Sequence, residues 1–244
     1  MLTSKDGLSP HPPLSSGMPP LASRGLLIAV VAAFAAAAFG DLFAVYTGVR
    51  LRAVVDGDVT ASSLEAAYSL YENAGRVQVA TSLLCAVLFI TWFFLTRRRT
   101  ELLAPNWFRK GPGWAIGAWF IPVANLWLPY RIAADMWNAC APLPTEGKSH
   151  RLPMWPVNLW WGLFVGTTLL GRYTAARLDM ADSLAGLSDA VTLYLAVDLL
   201  YAATAGAAVV FTVRLTALER LKAAEGPYCD RRSGVSLDGV HTHR

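Results

Sequence analysis

The stretch VQVATSLLCAVLFITWFFLTRRR, residues 77–99, decides the fold class. It runs from Val77 to Thr96 without a charged residue, and three consecutive arginines follow at once. About 20 apolar residues in a helix cross roughly 30 Å of hydrocarbon, and basic residues at the end of such a run suit lipid headgroups. Because a backbone in lipid must satisfy its own hydrogen bonds, we predict that this stretch is a transmembrane helix.

Three further blocks share this character, at residues 25–49, 153–171 and 190–213, and their only charges are Asp41 and Asp198. Only 16% of the residues are charged, against about 25% in soluble domains. The sequence therefore predicts an all-α integral membrane protein with four transmembrane helices. Its predicted membrane domain, residues 25–220, is flanked by disordered cytoplasmic tails at residues 1–24 and 221–244.

A fifth apolar stretch, GWAIGAWFIPVANLWLPY at residues 113–130, has no charge but is interrupted by Pro122 and Pro129. It is either a kinked crossing or a re-entrant or interfacial segment. Lysine and arginine favour the cytoplasmic side. If the stretch does not cross, 16 of the 21 lysines and arginines lie inside, whereas a crossing leaves nine inside and 12 outside. The charge pattern favours the re-entrant or interfacial segment, in a cell membrane with both termini in the cytoplasm.

Two shorter helices are also predicted. Ser62 followed by Glu65 fits a capping box, so a short helix should lead into the second crossing. A helix beyond the fifth stretch, ending before Pro142, should be amphipathic and lie in the plane of the interface, because its apolar residues share one face. These residues are Ile132, Met136, Trp137 and Cys140. Trp107, Trp114, Trp119, Trp127 and Trp137 indicate that the whole region lies at headgroup level.

The region from residue 97 to residue 137 carries a specific pattern, with a Gly-Trp opening, aromatic residues, Pro-x-x-Asn-Leu-Trp and a second proline. These positions are Gly113, Trp114, Trp119, Pro122, Asn125, Leu126, Trp127 and Pro129, followed by Arg131 and Asp135 in a polar helix. The chain resembles a bacterial membrane-protein family catalogued as domain of unknown function 4328. The resemblance implies a multi-helix membrane domain with this segment as its signature, and it implies no activity.

Three intramembrane polar residues are candidates for function: Asp41, Asp198 and Asn125. A charge at the bilayer centre costs about 2.5–3.5 kcal/mol on insertion scales, so the two aspartates should face the bundle interior. In the functional interpretation they form a proton or cation relay, or they contact a substrate. In the structural interpretation they tie helices together, and each is either neutral or paired with Arg131, Tyr194 or Tyr201. Asn125 either contacts a ligand or caps the helix that resumes near Leu126.

Catalytic and metal-binding patterns are missing from the sequence. The four histidines lie in polar stretches, no CxxC pair exists, and there is no phosphate loop, HExxH or GxSxG motif. We therefore expect no catalytic residue, no metal and no cofactor. The expected partners are the lipid bilayer and either another membrane protein or a second copy of the chain, and not nucleic acid. The sequence favours a non-enzymatic membrane protein acting through partners, with a small transporter or channel and a membrane-embedded enzyme as alternatives.

Overall fold

The computed structural model describes residues 24–55, 60–104, 107–141, 152–179 and 184–225, and every regular element in these ranges is helical. The helices are α1 (Arg24–Val55), α2 (Ala61–Leu103), α3 (Trp114–Gly117), α4 (Leu128–Ala139), α5 (Trp155–Asp179) and α6 (Leu184–Glu225). A single 3₁₀ turn, Ala124–Leu126, precedes α4. The predicted all-α class is therefore confirmed for the described residues.

Three helices are long and apolar enough to cross a membrane, by length and composition, over Arg24–Val54, Ala61–Leu103 and Thr192–Ala224. They contain three of the four predicted crossings. The fourth predicted crossing lies on α5, which has 25 residues but is not one of these three. Pro156, Asn158 and the tryptophans near its start lower its mean hydropathy.

Helix α1 packs antiparallel to α2. The rings of Phe34 and Phe89 lie 5.5 Å apart near one end, and Asp41 accepts a hydrogen bond from Gln78 nearer the other. Gly48 lies where α1 meets α6. A Cβ there would lie 2.8 Å from Leu195 Cδ2 on α6, so a larger residue would force the Leu195 side chain to move.

Helices α5 and α6 are likewise antiparallel. The rings of Trp160 and Phe211 stack with centroids 4.5 Å apart, and the hydroxyls of Thr167 and Thr204 share a hydrogen bond of 3.0 Å. Because α6 also packs along α1, it is the central helix that joins the two antiparallel pairs. Side-chain packing and interhelical hydrogen bonds of this kind hold helices together where lipid removes the hydrophobic driving force.

An aromatic core fills one half of the bundle. Trp92, Phe93 and Phe211 are buried, and the ring of Trp119 contacts the rings of Phe89, Phe93, Trp160, Trp161 and Phe164. Trp119 and Trp137 therefore pack against the aromatic side chains of the bundle, and their level in the membrane stays a prediction. Trp137 is buried and stacks near Phe211, because the bundle interior offers these rings aromatic partners. The exposed tryptophans of the described residues are Trp107, Trp114, Trp127 and Trp155.

The segment between α2 and α4 begins and ends at the same end of the bundle. The Arg97 guanidinium donates to the Lys110 carbonyl oxygen over 2.7 Å, and Leu128 and Arg131 line the same cavity as Arg97. Between these points the chain reaches Phe89 through Trp119. Phe89 lies eight residues before Arg97 on α2, which corresponds to about 12 Å of helix.

The predicted amphipathic helix corresponds to α4, which ends at Ala139, before Pro142. Its predicted apolar face is buried, with Ile132, Met136, Trp137 and Cys140 all in the core. That face packs against α2, α5 and α6, so protein covers it where the sequence interpretation had placed lipid.

The start of α2 differs from the predicted capping box. Thr60 is the N-cap, its hydroxyl accepts from the Ser63 backbone N–H over 3.2 Å, and the Ser63 hydroxyl accepts from the Thr60 N–H. Ser62 and Glu65 therefore do not form the box. The extended backbone of Thr60 puts its hydroxyl in reach of Ser63, and the helix runs unbroken into the crossing.

The predicted tails lie mostly outside the described residues, as do the four histidines. The boundary at residue 221 is wrong in one respect, because α6 continues to Glu225. Lys222 accounts for this, since its side chain is buried and its ammonium donates to the Ala141 carbonyl oxygen over 3.3 Å.

Candidate functional site

Three polar side chains from three helices meet inside the bundle. The side-chain amide of Gln78 on α2 donates to Asp41 Oδ1 on α1 over 2.7 Å and to Asp198 Oδ1 on α6 over 2.9 Å. Asp41 is 4% exposed and Asp198 is 7% exposed. We call Asp41 and Asp198 the carboxylate pair.

The carboxylate pair has no basic partner within the described residues. The ion pairs among the described residues join Arg76 with Glu72, Arg97 with Glu101 and Arg99 with Glu219. None of these ion pairs includes Asp41 or Asp198. A neutral amide donates to both carboxylates but adds no charge. Two ionised carboxylates held by one amide repel each other, and their burial removes favourable hydration. The site therefore favours the addition of one positive charge, either a proton or a bound cation.

Two cavities meet at the carboxylate pair. The first, which we call the tyrosine cavity, has a volume of about 630 Å³ and is lined by Gln78 and Asp198 together with Tyr68, Tyr71, Glu72, Arg76 and Tyr194. The second, the aromatic cavity, has a volume of about 240 Å³ and contains Asp41. Its apolar lining includes Phe34, Phe89, Trp119, Trp160 and Phe164. One carboxylate thus faces a polar space and the other faces an aromatic one.

The structure brings together two of the three predicted polar sites. Asp41 and Asp198 share Gln78, whereas Asn125 lies in the 3₁₀ turn and lines neither cavity. The interpretation of Asn125 as a helix cap is wrong, because Trp127 is the N-cap of α4 and no side chain caps that helix. Asn125 lies in the 3₁₀ turn, two residues before the N-cap position of α4.

The predicted partners of the aspartates are also corrected. Arg131 lines a different cavity, beside Arg97. Tyr194 and Tyr201 line the tyrosine and aromatic cavities respectively, but Gln78 makes the hydrogen bonds.

Gln78 is the functional residue that sequence reasoning missed. It is the single glutamine of the chain and lies one residue inside an uncharged block. A search for charges passes over it, although a buried amide needs hydrogen-bond partners almost as strictly as a charge does. Two intramembrane aspartates should therefore have prompted a search for a donor on a third helix.

Metal coordination has little support at this site. The described residues contain no group of three or more histidine, cysteine, aspartate or glutamate side chains able to hold a metal ion. The carboxylate pair contributes two such groups, and a hard divalent cation takes six or more oxygen ligands.

Comparison with known families matches residues 55–217, more than half of the chain, to a family described as a domain of unknown function, DUF4328. The matched range contains α2 to α5, most of α6 and the whole signature segment. No curated protein and no solved structure shows a significant match.

Replacing Gln78 with leucine should destabilise the detergent-solubilised protein, and more at about pH 8 than at about pH 5. The substitution removes both donors, so the two carboxylates repel when ionised and relax when protons neutralise them. Thermal unfolding at the two pH values measures the effect. Thr81→Val is the matched control, because the Thr81 hydroxyl bonds only to carbonyls of its own helix. Equal losses at both pH values would show that Gln78 only fills space.

Proposed function

Because the chain belongs to the DUF4328 family, whose description assigns no activity, its function must follow from its own geometry, and we propose that it is a multi-pass membrane protein that binds a hydrophobic organic cation. The carboxylate pair supplies the negative charge. The aromatic cavity receives the apolar part of the ligand. Binding, and not chemistry, is the proposed activity.

One observation carries this proposal: the carboxylate pair lies beside an aromatic cavity and has no basic partner among the described residues. Aromatic faces attract cations, and desolvated rings do so most strongly. A cavity of about 150 Å³ holds benzene in an engineered protein. The aromatic cavity, at about 240 Å³, therefore has room for one ring and a substituted ammonium group.

The tyrosine cavity provides the proposed entry route. Asp198 lies six residues after Thr192 and 16 residues before Arg214 on α6, which corresponds to about 9 Å and about 24 Å along the helix. The carboxylate pair is thus near the outer third of the proposed membrane span. A cation that enters past Tyr68 and Tyr71 reaches Asp198 first and then Asp41.

Four crossings are part of the proposal, with α5 as the fourth. Trp155 lies beneath the guanidinium of Arg214 at one end of the α5–α6 pair, and a Cβ on Gly171 would contact Tyr201 and Val197 toward the other. Helix α5 therefore runs beside the apolar part of α6 for most of its length. The signature segment is proposed to be re-entrant, since it leaves and returns beside Arg97. With 16 of 21 basic residues then inside, both termini are cytoplasmic.

A docking role for the tryptophan-rich segment is the second candidate. Trp114 and Trp127 are 41% and 47% exposed, and Phe120 is 73% exposed. Trp119 and Trp137 contribute to the bundle core instead, which leaves a smaller aromatic surface than the sequence indicated. We assign the exposed rings of Trp114 and Trp127 to lipid headgroups, where exposed tryptophan is at its most stable.

The cation proposal predicts that benzyltrimethylammonium, which has one ring and one quaternary ammonium, binds the purified protein in nanodiscs. Asp41→Asn and Asp198→Asn should each weaken binding about tenfold or more, since each removes a carboxylate from a desolvated site. Equilibrium dialysis of the radiolabelled ligand measures the dissociation constant.

The matched control for this experiment is Glu65→Gln, which removes an exposed carboxylate of α2 that lines neither cavity. Its affinity should stay near that of the wild type. Wild-type affinity in both aspartate variants would overturn the proposal, as would equal binding of an uncharged ligand of the same shape.

Topology has its own prediction. Reporters fused after Thr145 and after Glu225 should both be cytoplasmic, because the proposed re-entrant segment does not change sides and α5 and α6 cross as a pair. Paired alkaline phosphatase and fluorescent-protein fusions report the two compartments. If both positions were outside, the segment at residues 113–130 would be a fifth crossing.

A further inference from the structure

A second polar cavity lies at the opposite end of α2 from the carboxylate pair. It has a volume of about 430 Å³ and is enclosed by the end of α2, the loop before α3 and the start of α4. Four basic residues line it, namely Arg97, Arg109, Lys110 and Arg131, together with one carboxylate, Asp135. We call it the basic cavity.

The inner wall of the basic cavity is held in place by a buried arginine. The Arg97 side chain is 3% exposed, and its two terminal nitrogens donate to Glu101 over 3.0 Å and to the Lys110 carbonyl over 2.7 Å. Its guanidinium also lies 3.5 Å from the centre of the Phe108 ring. These contacts fix the loop, so the positive wall exists before any ligand binds.

The charges around the basic cavity do not cancel. Glu101 balances Arg97, and Asp135 experiences the attraction of Arg131, Arg97 and Arg109 together. Four cations against two carboxylates leave two positive charges. The Lys110 ammonium lies 4.5 Å from the centre of the Trp114 ring, at the cavity wall, while Arg109 and Arg131 are exposed. Two exposed guanidinium groups facing one space are suited to bidentate contacts with phosphate oxygens.

We infer that the basic cavity binds a phosphate group, and that its source is the headgroup of an anionic phospholipid in the leaflet on that side. Arg109 and Arg131 contact the phosphate oxygens, and Lys110 adds a third positive charge. Trp107 and Trp114 line the same cavity and provide apolar surface for the glycerol and the first acyl carbons.

The position of the cavity favours lipid over a soluble ligand. Arg97 directly follows the apolar run that ends at Thr96, so the cavity lies where hydrocarbon meets headgroups. Trp107 is 51% exposed at its rim, and exposed tryptophan is typical of this level. Basic cavities among membrane helices on the cytoplasmic side are a recurrent way to bind anionic headgroups.

This inference is separable from cation binding. Gln78 and Arg97 are 19 residues apart on α2, or about 28 Å. The basic cavity shares no lining residue with the tyrosine cavity or with the aromatic cavity. Failure of one proposal therefore leaves the other standing.

The test is native mass spectrometry of the full chain in detergent, with phosphatidylglycerol and phosphatidylcholine added in equal amounts. The wild type should retain phosphatidylglycerol about tenfold more strongly than phosphatidylcholine, because only the former carries net negative charge. Arg109→Gln with Arg131→Gln should lose that preference. Both arginines are exposed, so the variant should keep the wild-type unfolding temperature.

The matched control is Arg172→Gln with Arg177→Gln, which removes two exposed positive charges from α5. This variant should keep the preference for phosphatidylglycerol. Equal retention of the two lipids by the wild type, or equal losses in the two double variants, would overturn the inference. Displacement of phosphatidylglycerol by millimolar glycerol 3-phosphate would overturn the lipid assignment and identify a soluble phosphate ester as the ligand.

Discussion

One amide group holds three helices in register. Gln78 uses both of its side-chain N–H groups on Asp41 and Asp198, so the depths of α1, α2 and α6 relative to one another are coupled. In lipid, sliding any one of these helices by a turn would leave a carboxylate without its donor, and an unsatisfied buried polar group costs about 1–3 kcal/mol or more. The aromatic cavity and the tyrosine cavity lie on either side of this group, one lined by Asp41 and the other by Asp198.

The opposite half of the bundle is stabilised by ring packing. Trp160 stacks on Phe211 with an interplanar angle of 3°, and Trp119 reaches the same cluster from the signature segment. Ring pairs contribute about 0.5–1.5 kcal/mol each beyond their burial, and they do not require water to drive them. The signature segment therefore has a structural role that its tryptophans and prolines serve together. Pro122 lies between α3 and the 3₁₀ turn, where it disfavours one continuous helix, and Pro129 lies in the first turn of α4, which tolerates proline.

The sequence predicted the class of fold well because long uncharged blocks have few alternatives in a folded protein. Asp41 and Asp198 could be identified as an interior pair of candidates, since charges in such blocks must face inward. Their shared partner could not, because Gln78 carries no charge and its reach depends on the register of three helices. The tryptophans were assigned to the interface by a general preference, whereas Trp119 and Trp137 found aromatic neighbours that only the tertiary packing supplies.

We propose that the carboxylate pair favours one added positive charge. Infrared difference spectroscopy of the protein in nanodiscs measures this directly through the C=O stretch of a protonated carboxyl. We expect a protonated carboxyl band that disappears when benzyltrimethylammonium binds and that is missing from Asp41→Asn and Asp198→Asn. A pair that remains fully ionised without ligand, with no band gained or lost on adding the cation, would contradict it.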